Sequence, residues 1–299
     1  MKSFLNDLKG IKFNYKLGKK TWFGSGGNSR LFIEINSESN LKKLLKLLPY
    51  SIPIFVLGAG SNVIIRDGGF NGITIKLTGN LKQINFDKKK KTLVVGGATK
   101  DSTISKFCEQ NTISGFEFLR GIPGTLGGNI KMNAGCYGKT ISDNLINCNI
   151  VSRNGKITKL SKKEIKFSYR KTSINDDSII TSAKFKVMLN DKEEIFKKIK
   201  KVSKERILSQ PINLRTGGST FKNPPNESAW KLIDKINYRG KSIGDASVSE
   251  KHANFLINNN FAKSLDLEIL GEEIREQVKK KYNINLDWEL IRIGKFKKI

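Results

Sequence analysis

No apolar run in the 299-residue chain approaches the roughly 20 residues needed to span a bilayer. The opening stretch, MKSFLNDLKGIKFNYKLGKK, lacks the continuous apolar core of a signal peptide. Cysteine is scarce. Cys108, Cys136 and Cys148 show no CxxC spacing, which argues against a disulfide framework and against a zinc or other metal site. A reducing, cytoplasmic setting is the expectation. Histidine is scarcer still, with His252 the only one. Internal repeats, low-complexity tracts, helix-turn-helix patterns, RNA-binding sheet motifs and zinc fingers are all absent from the sequence.

Negative charge is the remaining deficit: 27 Asp and Glu stand against 55 Lys and Arg, a net charge of +28. That balance invites a nucleic-acid partner. The lysines, however, are scattered through helical stretches, turns (88–91) and the tail (Lys295, Lys297, Lys298). The aromatic residues follow core periodicity, whereas a stacking platform would interleave them with lysine. The charge therefore reads as a solvated coat, part of which steers anionic ligands. Arg66, Arg120, Arg170 and Arg292 fall inside glycine-rich or turn motifs, where a planar bidentate donor has a use.

A chain of this length can bury a large core and divides into two or three domains. Strand patterns occur at 31–35, 54–57, 63–65, 73–77, 84–86, 92–95, 145–152, 156–160, 179–188 and 289–293. Helical patterns occupy 37–48, 100–110, 191–209, 228–235 and 265–282. Most strands follow one another without an intervening helix of ten or more residues. The pattern predicts α+β with mixed or antiparallel sheets and disfavours a doubly wound parallel sheet.

The most informative stretch is GIPGTLGGNIKMNAGCYG at 121–138, six glycines around one proline with apolar anchors at Ile122, Leu126, Ile130 and Met132. Glycine lets the backbone approach a ligand and adopt positive φ, so that peptide N–H groups converge on an anion. The plain alternative is a surface turn; the regular anchors favour a cofactor-phosphate loop. A second candidate is LGAGSNVIIRDGGFNG at 57–72, where a strand runs into Gly58, Ala59, Gly60, Ser61 and Asn62. It departs from the dinucleotide fingerprint, because Val63 stands where a third glycine is needed and no long helix follows. No Lys-Ser/Thr pair ends it, so it is not a P-loop. Together the two stretches form a two-sided anion clamp.

Four further motifs carry polar chemistry. FSYRKT (167–172) pairs Tyr169 with Arg170, which on local grounds is equally a surface cation–π contact. GGSTFKNP (217–224) presents Ser219, with Lys222 and Asn223 as donors, although a turn serine is the ordinary reading. VSEKHANFLIN (248–258) holds His252, and a lone histidine is more often structural or substrate-contacting than catalytic. DWELIRIG (287–294) sets Glu289 and Arg292 three apart in a strand, where they tend towards opposite faces, and Glu289 is alternatively a solvated edge carboxylate.

In order and spacing these motifs resemble UDP-N-acetylenolpyruvoylglucosamine reductase, a flavoprotein family, over nearly the whole chain. The glycine loops are shared with a wider superfamily, whereas the serine, tyrosine–arginine and glutamate motifs point to the reductase itself. The resemblance implies a PCMH-type FAD-binding fold of two α+β subdomains, residues 1–77 (with 286–299 returning to it) and 78–190. A smaller α+β substrate-binding domain would span 191–285. It implies non-covalent FAD, NADPH as co-substrate, and a UDP-sugar substrate in peptidoglycan precursor synthesis, with no nucleic-acid or membrane partner and a monomeric state. NADPH reduces the flavin, then the enolpyruvyl sugar nucleotide takes hydride in the same cleft.

By position in the matching motifs, Ser219 is the proton donor, and Arg170 and Glu289 flank the substrate carboxylate. Cofactor contacts fall on Gly58, Ala59, Gly60, Ser61, Asn62, Gly121, Ile122, Pro123, Gly124, Thr125, Gly127, Gly128, Asn129, Gly135 and Arg292. Tyr169, Lys222, Asn223 and His252 are assigned to the substrate or NADPH. The chain resembles the shorter form of the family. It departs from the family pattern at Gly24, where arginine is common, and at Arg215, where proline is common; both put local contacts in question. Rival readings are another FAD-dependent oxidoreductase of the same fold, a basic nucleic-acid-binding protein, and a catalytically dead sugar-nucleotide binder.

Overall fold

Ser37, in extended conformation, accepts the Asn40 N–H at 3.2 Å and so caps the Glu38–Leu47 helix, whose Leu41, Leu44 and Leu45 are buried. The computed structural model describes residues 10–297; residues 1–9 of the stretch read as lacking a leader, and Lys298 of the basic tail, lie outside it. Within that range the chain packs into two units, residues 10–12, 32–59 and 73–205, and residues 13–31, 60–72 and 206–297.

The first unit is built on a five-stranded antiparallel sheet in the order Ile157–Ser161, Leu145–Val151, Ile179–Lys186, Thr92–Gly96, Ile84–Asp87. Alternating side chains such as Leu93, Val95, Ile180 and Phe185 turn one face into the core, where Phe116 meets Phe185 edge to face at 5.4 Å. The Asp101–Gln110 helix buries Ile104, Ser105 and Cys108. Ile54–Val56 runs parallel to Ile73, Thr74 and Ile75 in the same unit.

The second unit holds a four-stranded antiparallel sheet in the order Arg215–Ser219, Phe255–Asn258, Ala246–Val248, Ser242–Ile243. The Ser264–Tyr282 helix packs with it, burying Leu267, Leu270, Ile274 and Val278 among Ala246, Val248 and Leu256. Ile291–Ile293 pairs in parallel with Val63–Ile65.

Among the described residues most strand pairs are antiparallel, with parallel pairing at Ile54–Val56 and at Ile291–Ile293, in keeping with the α+β reading. Three local expectations shift. The glycine-rich stretch contains a short helix, Leu126–Met132, anchored by buried Leu126 and Ile130. The strand expected over 179–188 breaks after Lys186, because Met188–Leu189 pairs instead with Ile113–Ser114. The last strand begins only at Ile291, so Glu289 precedes it. Among the described residues no helix is long and apolar enough to cross a membrane.

Candidate active site

Gly58, Ala59 and Gly60 direct their N–H groups to no backbone acceptor among the described residues. Gly60 has a φ of +72°, open to glycine, and its carbonyl accepts the Trp22 N–H at 2.8 Å. A Cβ on Gly58 would lie 2.8 Å from Thr125 Oγ1, so the absent side chain lets the two glycine-rich segments touch. Lys76 Nζ donates to the Gly58 carbonyl from a half-buried position; burial pushes its pKa below the usual lysine range, assisted by Lys82 and Lys100. The lysine amine therefore stands on the Gly58 carbonyl, on the opposite side of that peptide from the Ala59 N–H.

The 121–129 segment is more ordered than a loop. Leu126 and Gly127 donate inward to Thr99 and Gly97 carbonyls at 3.0 and 2.8 Å, and Asn129 N–H donates to the Thr125 carbonyl at 3.0 Å. The Thr125 N–H keeps no backbone acceptor among the described residues. Asn129 is buried, with Nδ2 donating to Asp101 Oδ1 at 2.6 Å, so its side chain lies behind the segment. Asp101 belongs to no recognisable motif, and nothing along the chain marks it; burial pushes its carboxyl up to about 7, opposed by bonds from Asn129 and Gly124.

Arg170 sits at the tip of a two-residue hairpin, Ser168 pairing with Lys171, with a φ of +55°. Its Nη1 donates to the Gly135 carbonyl at 3.3 Å, and its Cζ lies 5.1 Å from the Tyr169 ring. Asn133 Nδ2 donates to the Ser168 carbonyl and Thr172 Oγ1 to the Lys131 carbonyl, at 3.1 and 3.2 Å. These bonds fix the hairpin to the end of the glycine-rich segment, in the first unit.

Ser219 closes the Arg215–Ser219 strand after a register irregularity and stands opposite Phe255. The preceding Gly218 has a φ of +82°. The following Thr220 N–H donates to the Asn254 carbonyl at 2.8 Å, while Thr220 Oγ1 accepts the Leu256 N–H at 3.3 Å. Asn254 brackets the next residue too: Oδ1 accepts the Phe221 N–H at 3.0 Å and Nδ2 donates to the Phe221 carbonyl at 2.8 Å. Glu289 N–H donates to the Thr220 carbonyl at 2.8 Å, and Asn62 Nδ2 to the Glu289 carbonyl at 3.1 Å. Ser219, Glu289 and Asn62 thus share one backbone ladder in the second unit, of which Arg170 is not a member. Asn254 lies inside the 248–258 motif, but its buried bracket is a tertiary feature with no local sign.

Arg292 is engaged by acids, with Nη1 at 2.9 Å from Glu272 Oε1 and 3.5 Å from Glu268 Oε2, over the Trp288 ring. Asn223 Oδ1 accepts the Ala229 N–H at 3.0 Å, and the Lys222 N–H donates to the Asp287 carbonyl at 2.8 Å. His252 lies 4.7 Å from the Phe255 ring; its Nδ1 accepts the Asn254 N–H at 3.3 Å, and burial holds its pKa below the usual range. A cavity of about 590 Å³ opens nearby on the sheet, lined by Ser247, Ser249, Lys251, Ile257 and Asn259 with Leu214. The two departures meet: Arg215 Cδ lies 3.6 Å from the place a Cβ of Gly24 would occupy, and Arg215 Nη1 donates to the Asn260 carbonyl at 3.0 Å. No group of histidine, cysteine and acidic side chains that could hold a metal occurs among the described residues.

N–H groups with no backbone acceptor among the described residues, a Cβ-free approach at Gly58 and a lysine on the Gly58 carbonyl suit the diphosphate of a dinucleotide. With the α+β architecture, this defines a dinucleotide-binding protein that is not of the doubly wound parallel class. Residues 29–161 match an FAD binding domain, and residues 210–293 match the C-terminal domain of UDP-N-acetylenolpyruvoylglucosamine reductase. The enzyme of that name from Rickettsia prowazekii is 43% identical over 98% of this chain and 99% of its own. That from Rickettsia bellii is 44% identical over 94% and 93%. The crystal structure of the Thermus caldophilus reductase superposes with a TM-score of 0.81 at 29% identity, covering 95% of this chain and 98% of that one. The chain belongs to the UDP-N-acetylenolpyruvoylglucosamine reductase family.

Proposed function

We propose that the chain reduces the enolpyruvyl ether of UDP-N-acetylglucosamine to UDP-N-acetylmuramate at the expense of NADPH, as a cytoplasmic monomer supplying peptidoglycan precursors. The observation that carries this reading is the ladder joining Ser219 and Thr220 to Glu289 and Asn62. It holds a hydroxyl and a carboxyl side chain at neighbouring positions, next to one of the two glycine-rich segments.

Bound FAD would supply the redox chemistry, relaying hydride from NADPH to the terminal vinyl carbon of the substrate. Gly58, Ala59, Gly60 and Thr125 would hold its diphosphate through N–H groups, with Lys76 offsetting the charge. Hydride addition leaves negative charge on the carbon bearing the carboxylate and on that carboxylate. Arg170 binds the carboxylate and Glu289 flanks it, which lowers the cost of that charge. Ser219 Oγ–H passes its proton to the same carbon and recovers one from solvent. A neutral hydroxyl suffices, because proton transfer to a carbanion-like centre is downhill.

Tyr169, Lys222, Asn223 and His252 contact the sugar nucleotide or NADPH, and the cavity beside Ser249 and Lys251 takes part of the nucleotide. We keep the division into residues 1–77 with 286–299, 78–190 and 191–285 as the functional one. The test is an anaerobic titration of the yellow protein with NADPH, followed by the enolpyruvyl sugar nucleotide. Bleaching and then recovery of the flavin absorbance is expected. Bleaching without recovery would assign the chain to a different substrate.

A further inference from the structure

Asp101 is 1% exposed, and its Oδ2 has no hydrogen-bond partner among the described residues. It sits at the first turn of the Asp101–Gln110 helix and touches both ends of the 124–129 turn. Its N–H donates to the Gly124 carbonyl at 3.3 Å, and its Oδ1 accepts Asn129 Nδ2 at 2.6 Å. Asn129 in turn donates its N–H to the Thr125 carbonyl, and its own carbonyl accepts the Ala134 N–H at 2.8 Å. The space a Gly124 Cβ would need is taken by Asp101 Oδ2 and Asn129 Oδ1, at 2.6 and 2.7 Å from that point.

We infer that Asp101 is a positioning residue that holds the Gly124–Thr125 turn in its neutral, protonated form, so that this proton and the bound dinucleotide favour each other. The inference rests on reading the 121–129 segment as a wall of the FAD site. Two arguments carry it. A buried carboxylate with one bare oxygen is costly, and protonation removes the charge. A diphosphate held at Thr125 would bring negative charge to the same turn, making ionisation costlier still. Coupling of this kind is reciprocal, so the protonated protein binds FAD more tightly.

The nearby elements carry Lys100, Lys106, Glu117, Arg120 and Lys131. None of these sets the proton affinity of Asp101; burial raises it to about 7, opposed by the Asn129 side-chain amide and by the Gly124 backbone N–H. With the group neutral at low pH, FAD affinity is flat well below about pH 7. Above it affinity falls, and it levels off once the cofactor-bound form also ionises.

The experiment dilutes the purified holoprotein between pH 6 and 9 and follows FAD release by flavin fluorescence. For the unmodified protein the FAD Kd should rise about tenfold across that range, the effect of one pKa unit of coupling. Asp101→Asn, which keeps an acceptor and a donor without a titrating proton, should give a flat profile near the unmodified protein's value at pH 6. A flat profile in the unmodified protein, or an Asp101→Asn profile that follows it, overturns the proposal. If Asp101→Asn fails to fold, proton uptake on FAD rebinding to the unmodified protein decides: about half a proton midway through the transition supports it, none overturns it. Gly124→Ala separates the two readings, since its Cβ must displace Asp101 and Asn129. Full FAD affinity in that variant overturns the wall and the coupling together. Loss of FAD there, with a flat profile in the unmodified protein, overturns the coupling alone.

Discussion

The Glu289 N–H donates to the Thr220 carbonyl across 2.8 Å, joining the DWELIRIG segment to the residue that follows Ser219. The Lys222 N–H donates to the Asp287 carbonyl at the same distance, so the pairing extends on both sides of Phe221. Phe221 and Trp288 face each other between those two bonds, their ring centroids 5.0 Å apart. The backbone ladder, held by this aromatic pair, sets Ser219 and Glu289 at neighbouring positions.

Ser219→Ala should leave the reduction of bound flavin by NADPH unchanged and lower turnover of the sugar nucleotide by at least about 100-fold, the usual loss when a general acid is removed. Stopped-flow absorbance of each half-reaction checks this. Normal turnover in that variant would rule out Ser219 as the proton donor.

Asn254→Ala should destabilise the second unit by about 2–4 kcal/mol, because it strands the buried N–H and carbonyl of Phe221. Thermal unfolding measures the loss. Since Phe221 lies two residues from Ser219 and one from Thr220, which bonds Glu289, kcat should fall while NADPH still reduces the flavin.

Glu268 is buried and takes both Arg66 Nε and Nη2, at 2.9 and 3.0 Å, with Arg292 at 3.5 Å. Glu268→Ala leaves those guanidinium groups without their shared acceptor and should cost about 3 kcal/mol. Glu268→Gln, which keeps an acceptor oxygen, should cost less. Chemical denaturation of the two variants tests the order.

Asp101 also makes a pH prediction for stability. Its folded pKa of about 7 lies above the unfolded carboxylate value, so the native state holds the extra proton between about pH 4 and 7. The contribution is fully present below that window and is lost as pH rises through 7. Relative to Asp101→Asn, the unmodified protein should therefore lose stability over that window and run parallel above it, as unfolding free energies at several pH values would show.

Much of the candidate site is readable along the chain because its parts are local: glycines where a backbone comes close, a Tyr-Arg turn, a serine after two glycines. The α+β architecture is readable too, from strands that succeed one another without long helices. The Leu126–Met132 helix is not, since Gly127 and Gly128 weaken its propensity and its buried anchors hold it in place. Asp101, Asn254 and Lys76 are likewise hidden. Each is an ordinary residue type whose role comes from a partner distant in sequence, namely Asn129, Phe221 and Gly58.

Residue order alone specifies which groups are available and where the backbone can bend, because glycine, proline and apolar periodicity act over a few positions. Packing decides which of those groups meet. Arg292 illustrates the division: along the chain it is an arginine three residues after Glu289, and the fold sets it against Glu268 and Glu272. Buried polar groups must find partners wherever the chain brings them, and that requirement is satisfied in three dimensions, not along the sequence.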